Sequence, residues 1–294
     1  MTETIREGAL SVGDISISRV VEMEGPMMRP KDLLPGATPE VLDRHRGWLE
    51  PNYLSPQAIM IMSIQSFVVK TEGKTILVDT CVGNDKQREN PSWSNLNLPY
   101  LDTLRAAGFE PEDIDIVFCS HMHVDHVGWN TKLENGRWVP TFPNAQYLFT
   151  QEEWDFWKSK PSVQTFNHSC MDDSVLPVVE AGQAEFVDGD HSIDDHAWLE
   201  FAPGHTPGHA ALRLASEGNE AVLAGDIMHH PIQVAEPGLR AEYLDVDPDE
   251  AEVTRQSFLN KYSESGKLVL GSHFAKPFGG YIQADGESFR FLPT

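Results

Sequence analysis

Positive charge is scarce in this chain. Its 22 Lys and Arg residues stand against 45 Asp and Glu, for a formal net charge of −23. Phosphate backbones would be repelled by such a surface, so nucleic acid is not expected as a partner. The same holds for an anionic membrane or a polyanionic substrate. Cysteine is scarce as well: Cys81, Cys119 and Cys170 are odd in number and lack C-x-x-C spacing. That fits reduced thiols better than a disulfide scaffold. No stretch approaches the roughly 20 apolar residues of a membrane span. The opening Met1-Thr2-Glu3-Thr4-Ile5-Arg6-Glu7 has no apolar run behind a basic segment, so a cytoplasmic location is expected rather than secretion. Low-complexity tracts and sequence repeats are also missing from the chain.

What is present is an ordinary globular composition, 40% hydrophobic and 9% aromatic. Length alone would suggest about two domains.

One stretch stands out: Cys119-Ser120-His121-Met122-His123-Val124-Asp125-His126-Val127-Gly128-Trp129. It follows an apolar strand expected over Ile114 to Phe118. In an extended segment, alternate residues share a side, which puts His121, His123 and Asp125 on one face. His126 then points elsewhere, free to serve a second centre. Neutral imidazole and carboxylate are the ligands of a zinc ion that keeps a position open for water.

The H-x-H-x-D-H string after an apolar strand resembles the signature of the metallo-β-lactamase superfamily. Four further segments resemble that family's other motifs, in order: Ile76-Leu77-Val78-Asp79-Thr80, Ala202-Pro203-Gly204-His205-Thr206-Pro207-Gly208-His209, Ala224-Gly225-Asp226 and Leu270-Gly271-Ser272-His273. The resemblance implies an α/β fold, an αββα sandwich of two mixed sheets packed face to face with helices outside. Because distant segments must then converge on one site, residues 1–294 are expected to form a single domain.

The resemblance also assigns roles. His121, His123 and His205 would hold one Zn2+; Asp125, His126 and His273 would hold another. Asp226 and a hydroxide would bridge them, and Asp79 would orient a ligand from behind. Iron, manganese or cobalt would suit the same residues. Asp125 is a candidate catalytic group that orients the hydroxide and carries a proton to the leaving group. His205 is the expected ligand of its motif, with His209 structural. In acyl-homoserine-lactone lactonases a tyrosine lies three residues after the bridging aspartate; here that position is His229, a candidate hydrogen-bond donor to a substrate oxygen.

The function implied is a dinuclear zinc hydrolase of a small neutral ester, lactone or related acyl substrate, nearest in motif layout to the lactonase and methyl-parathion-hydrolase-like branch. Phosphotriester or β-lactam hydrolysis on the same site is an alternative, as is a mononuclear-iron dioxygenase of the persulfide dioxygenase type. A homodimer is implied by the related lactonases.

Elsewhere the sequence predicts a strand pair over Ala9 to Val21, then a proline-punctuated loop from Glu24 to Pro30. Thr38-Pro39-Glu40 should start a helix. Residues 22–57 as a whole form a candidate rim or lid, and 161–177 a second lid piece. Strands are expected at Ala58 to Val69, Lys74 to Val78, Ala145 to Phe149, Ala184 to Val187, Leu199 to Ala202, Ala210 to Leu214, Ala221 to Ala224 and Leu268 to Leu270. A helix should run from Asp247-Pro248-Asp249-Glu250 to Gly266, with Thr254 the one polar member of its apolar face. Trp129, Ile227, Met228 and Phe274 are candidates for an apolar pocket beside the metals, and Trp93 for its mouth. His45, His168, His191 and His196 are expected to be exposed.

Overall fold

The computed structural model describes residues 9–159 and 170–294. In its first half the chain forms β1 (Leu10–Val12), β2 (Ile15–Met28), α1 (Pro30–Leu33), α2 (Pro39–Leu49), β3 (Met60–Lys70), β4 (Thr75–Val78), α3 (Tyr100–Ala106) and β5 (Ile116–Phe118). A hairpin of β6 (Thr131–Glu134) and β7 (Arg137–Pro140) precedes β8 (Gln146–Thr150), α4 (Gln151–Lys158), α5 (Leu176–Glu180) and β9 (Ala184–Val187). The second half contains β10 (Ala197–Phe201), β11 (Ala210–Ser216), β12 (Asn219–Leu223), α6 (Ile232–Ala235), α7 (Pro248–Tyr262), β13 (Leu268–Leu270), β14 (Gly279–Asp285) and β15 (Ser288–Pro293).

Two mixed sheets result, in the orders β1-β2-β3-β4-β5-β8-β9 and β10-β11-β12-β13-β14-β15. Strand alternation explains how they stack. Ile76, Val78, Phe118 and Leu148 of the first sheet meet Leu212, Leu214, Leu223 and Leu270 of the second in one buried layer. Their sequence neighbours point the other way. Leu77, Val117 and Tyr147 pack outward against Tyr100, Leu104, Trp157 and Val178 of α3, α4 and α5. Ala211, Val222 and Val269 pack outward against Leu42, Leu49, Ile232, Phe258 and Leu259 of α2, α6 and α7. Period-two side chains on strands buried on both faces thus feed three apolar layers, giving the αββα sandwich.

Helix starts follow local chemistry. The Thr38 hydroxyl accepts the Val41 N–H, and the Asp247 carboxylate accepts the Glu250 N–H, each with proline at the first helical position. Among the described residues no helix is long and apolar enough to cross a membrane. Cys81, Cys119 and Cys170 are buried free thiols.

Several expectations need correcting. Glu24 to Met28 is not a loop: β2 continues to Met28, pairing Glu24 with Ser63 and Met28 with Met60. β1 covers only the first residues of β2, so Pro26 lies on an edge where its missing N–H costs no ladder bond. The last helix ends at Tyr262, before Gly266, and its buried face includes Arg255. Buried Arg255 donates to the carbonyls of Pro237 and Ile227 and lies near the Asp245 charge, which offsets part of the cost of a charged side chain that the apolar pattern alone would exclude. His45, His191 and His196 are half-buried rather than exposed, with His45 Nε2 2.8 Å from Glu236. His168 lies outside the described residues, as does the expected lid piece up to residue 169; in the remainder of that stretch a π-helical turn, Met171–Val175, leads into α5.

Candidate metal centre

The parallel strand pairs β4–β5 and β12–β13 sit inside their sheets and end at the same edge of the sandwich. The chain leaves β4 at Asp79, β5 at Ser120-His121, β12 at Asp226 and β13 at His273, while the turn between β10 and β11 brings His205. Five segments far apart in sequence therefore empty onto one spot. The backbone is specialised there. Asp79 takes a left-handed φ of 58°, a strained choice that recurs at functional sites. Gly225 has φ 57°, and a Cβ on it would lie 2.4 Å from His209 Nε2, so only glycine fits.

The His121–His126 stretch is not extended. His126 N–H donates to His123 O at 3.0 Å, closing a turn, while Met122, Val124 and Val127 anchor in the outer core. Asp125 groups its carboxylate with His126 and His273 rather than with His121 and His123. His126 does not point away from His121 either: their rings are 4.0 Å apart.

His121, His123 and His205 bring donor atoms together in one buried triad, and Asp125, His126 and His273 in another. His205 Nε2 is 3.1 Å from His121 Nε2 and 2.9 Å from His123 Nδ1. Asp226 lies between the triads. Its Oδ2 is 3.1 Å from His273 Nε2, 3.4 Å from His126 Nε2 and 3.5 Å from His205 Nε2. Its Oδ1 makes no hydrogen bond.

The outer nitrogens explain what the inner ones can do. His126 Nδ1 donates to Asp79 at 2.9 Å, His205 Nδ1 to Asp245 at 2.8 Å and His273 Nδ1 to the Ser63 carbonyl at 3.0 Å. His121 Nδ1 sits 3.1 Å from Ser120 Oγ, whose own proton goes to Asp79. With those protons pointing outward, Nε2 of His121, His126, His205 and His273 and Nδ1 of His123 turn inward and converge. Buried lone pairs facing one another this closely repel unless a cation sits among them. The donor set therefore fits bound divalent cations.

Electrostatics agree. Burial, and then the neighbouring imidazoles, hold His121 and His123 well below the usual histidine range. Burial also lowers His126, but Asp226, Asp79 and Asp125 override it and hold it up. Against burial, which raises it, the histidines His273, His126 and His229 keep Asp226 well below the usual carboxylate range. Anionic carboxylates among imidazoles are what a divalent cation would meet.

His209 stands behind this cage. Its Nδ1 donates to the Ala202 carbonyl and its Nε2 accepts the Asp226 N–H at 2.9 Å, so it positions the aspartate's backbone. Sequence reading missed two groups of similar importance. Asp245 holds His205, as described. Glu153 accepts N–H bonds from Met122 and Gly208 and ties the His121 turn to the His205 turn. Nothing local marks either: one opens no motif, the other lies in an acidic helix start.

A cleft of about 460 Å³ opens onto the cage. His123, Asp125, His205, Asp226, His229 and His273 form its floor; Met27, Met28, Leu33, Met62, Ile64, Trp93 and Leu244 form its wall. His229 Nε2 is 3.3 Å from Asp226 Oδ2, and neither ring nitrogen makes a hydrogen bond. Of the expected pocket residues only Trp93 lines it. Trp129 stacks on Tyr100 and donates to Glu22, and Ile227, Met228 and Phe274 belong to the core beneath α6 and α7. Closeness in sequence to a ligand put them in the ligand's foundation, not beside the opening.

A family model described as the metallo-beta-lactamase superfamily matches residues 61–273. The chain is similar to the N-acyl homoserine lactonase of Bacillus cereus, 24% identical over 182 residues, which is 58% of this chain. The match spans 65% of that lactonase's length, just short of two thirds. The N-acyl homoserine lactonase AttM of Rhizobium radiobacter is 27% identical over 157 residues, 49% of this chain and 54% of its own. Among solved structures, the hydrolase AbOPH of the beta lactamase superfamily superposes with a TM-score of 0.79 at 24% identity, over 97% of this chain and 96% of its own. AidC, a dizinc quorum-quenching lactonase in complex with a product, has a TM-score of 0.77 at 21% identity over 97% and 96%.

Proposed function

The chain belongs to the metallo-beta-lactamase superfamily, and from that premise we propose that it is a metal-dependent hydrolase with two divalent cations, zinc in the first instance, that opens a small neutral ester, lactone or related acyl substrate. The observation that carries this reading is the cage itself: two triads of buried donors share Asp226 between them and face an apolar cleft. The dizinc lactonase AidC, similar in fold, supports zinc.

His121, His123 and His205 would hold one cation, Asp125, His126 and His273 the other, with Asp226 between. Cations held there would lower the pKa of water from about 15.7 to near 7 and polarise an acyl oxygen. The chain's own residues do the rest. Asp125 has one oxygen 3.8 Å from His126 Nε2 and the other 3.6 Å from His273 Nε2, and it also borders the cleft. It is placed to take a proton on the cage side and deliver it to a leaving oxygen. His229, with both nitrogens uncommitted at the cleft floor, is placed to donate to the substrate's carbonyl oxygen. Burial pushes His229 down to about 3, so it is neutral and keeps one N–H to give. The wall of methionine, leucine and tryptophan side chains excludes water and favours a neutral, apolar acyl group.

The test is elemental analysis of the purified protein followed by a hydrolysis panel of lactones, aryl esters, phosphotriesters and β-lactams. Two zincs per chain and chelator-sensitive turnover of lactones or esters are expected. One iron per chain with no hydrolysis would point to the dioxygenase alternative; turnover of the phosphotriesters alone would move the substrate class.

A further inference from the structure

We propose that Asp245 is the positioning carboxylate for the cation of His121, His123 and His205, as Asp79 is for the other, so that each cation can be loosened without the other. This rests on the two-cation reading above.

The two carboxylates do the same thing in different places. Asp79 accepts His126 Nδ1–H at 2.9 Å from the end of β4; Asp245 accepts His205 Nδ1–H at 2.8 Å from the loop before α7. Each fixes its imidazole's tautomer with the bare Nε2 inward and raises that nitrogen's basicity. They differ in how much else they hold. Asp79 also takes the Ser120 N–H and the hydroxyls of Ser120 and Ser272. Asp245 has one oxygen on His205 and the other without a hydrogen bond, although it is buried. A buried carboxylate with a single hydrogen bond costs free energy; beyond its bond to His205, the nearby Arg255 charge offsets part of that cost.

The His205 main chain is held separately. Val246 N–H donates to His205 O and Asp247 N–H to Gly204 O, while Thr254 Oγ donates to Pro203 O. A Cβ on Gly204 would meet the Ala251 backbone at 2.3 Å, so this turn is clamped on the start of α7. Removing the Asp245 charge therefore leaves the main-chain clamps of the turn in place and frees the ring, while buried Arg255 loses a nearby counter-charge, an effect that the melting temperature reads. The preceding residue, Leu244, lines the cleft, so one short loop shapes the acyl wall and steadies one cation.

The experiment titrates Co2+ into the metal-free full chain against a competing chelator, following visible absorption, with the melting temperature of the metal-free protein as the fold control. For Asp245→Asn, one equivalent is expected to bind as in the wild type and the other about 10- to 100-fold more weakly. Leu244→Ala is expected to leave both unchanged. Equal weakening of both equivalents, wild-type affinity for both, or the same loss in Leu244→Ala overturns the proposal. Asp245→Ala, read the same way, decides it if the asparagine variant does not fold. Wild-type protein that binds no cobalt overturns both this and the hydrolase reading, whereas two tight equivalents in wild type and Asp245→Asn alike overturn this one only.

Discussion

The floor and the wall of the cleft are built on opposite principles. At the floor three imidazoles of the cage are steered by an outer partner: Asp79 for His126, Asp245 for His205, the Ser63 carbonyl for His273. On the wall Met27, Met28, Leu33, Met62, Ile64 and Leu244 have apolar side chains and no directional bond to fix them. Cation chemistry needs donors held to a fraction of an ångström, whereas an acyl group is gripped by area and tolerates adaptable methionines. The contrast teaches that binding geometry and substrate choice are separable in this molecule, and substitutions on each side should fail differently.

Breaking the floor should have the largest effect. His121→Ala and Asp226→Asn are expected to lower kcat/KM by at least about a thousandfold, on the scale of removing one charge-stabilising group, with far-ultraviolet circular dichroism unchanged. Near-wild-type turnover by either variant would contradict the role given to the cage. His229 stands at the border between floor and wall. His229→Ala is expected to lower kcat by about a hundredfold or less while metal content holds; unchanged kinetics would remove it from the chemistry.

The wall should respond in KM. Met62→Ala removes apolar area worth roughly 1 to 2 kcal/mol, so KM for a long-chain substrate should rise roughly tenfold, with kcat for a short-chain analogue little changed. A loss in kcat for both substrates would mean that the wall also orders the floor, since Met62 adjoins Ser63, whose carbonyl holds His273.

A further effect, on stability and not on turnover, is one of pH, away from both floor and wall. His230 is buried beneath the wall, donating Nε2–H to Tyr53 O, and burial pushes it down to about 4. Its folded pKa lies below the unfolded value near 6.5, so the unfolded chain binds more protons in that window. The contribution is present above about pH 6.5 and lost as pH falls toward 4, by about 3 kcal/mol in all. Urea unfolding of wild type and His230→Gln, from pH 7 to 4, should show the variant declining less steeply. Parallel declines would mean that His230 is protonated in the folded protein.

Legibility followed chemistry. The capped helices α2 and α7 and the strands β4, β5 and β12 were readable because apolar runs and cap residues are local signals; the pairing of two sheets was implied only by the resemblance of the motifs. The β6–β7 hairpin was readable and went unread: Asn135-Gly136 takes φ values of 51° and 76°, the backbone that Asn-Gly favours in a two-residue turn. The continuation of β2 to Met28 was hidden by Gly25 and Pro26, residues that signal a break except at an edge.

By itself the sequence singled out His121, His123, Asp125 and His126 as able to hold a cation, because histidine and aspartate in so short a cluster have few other reasons to occur together; His205, Asp226 and His273 joined them through the resemblance of their motifs. Only the tertiary structure decided which apolar residues face the cleft and that Asp245 stands behind His205. Met62 in the wall and Phe274 in the core are chemically alike, so nothing in their type distinguishes a surface for substrate from a surface for another side chain. Asp245 and His205 meet because the loop before α7 folds back over the turn after β10, a closure across 40 residues that no local pattern encodes.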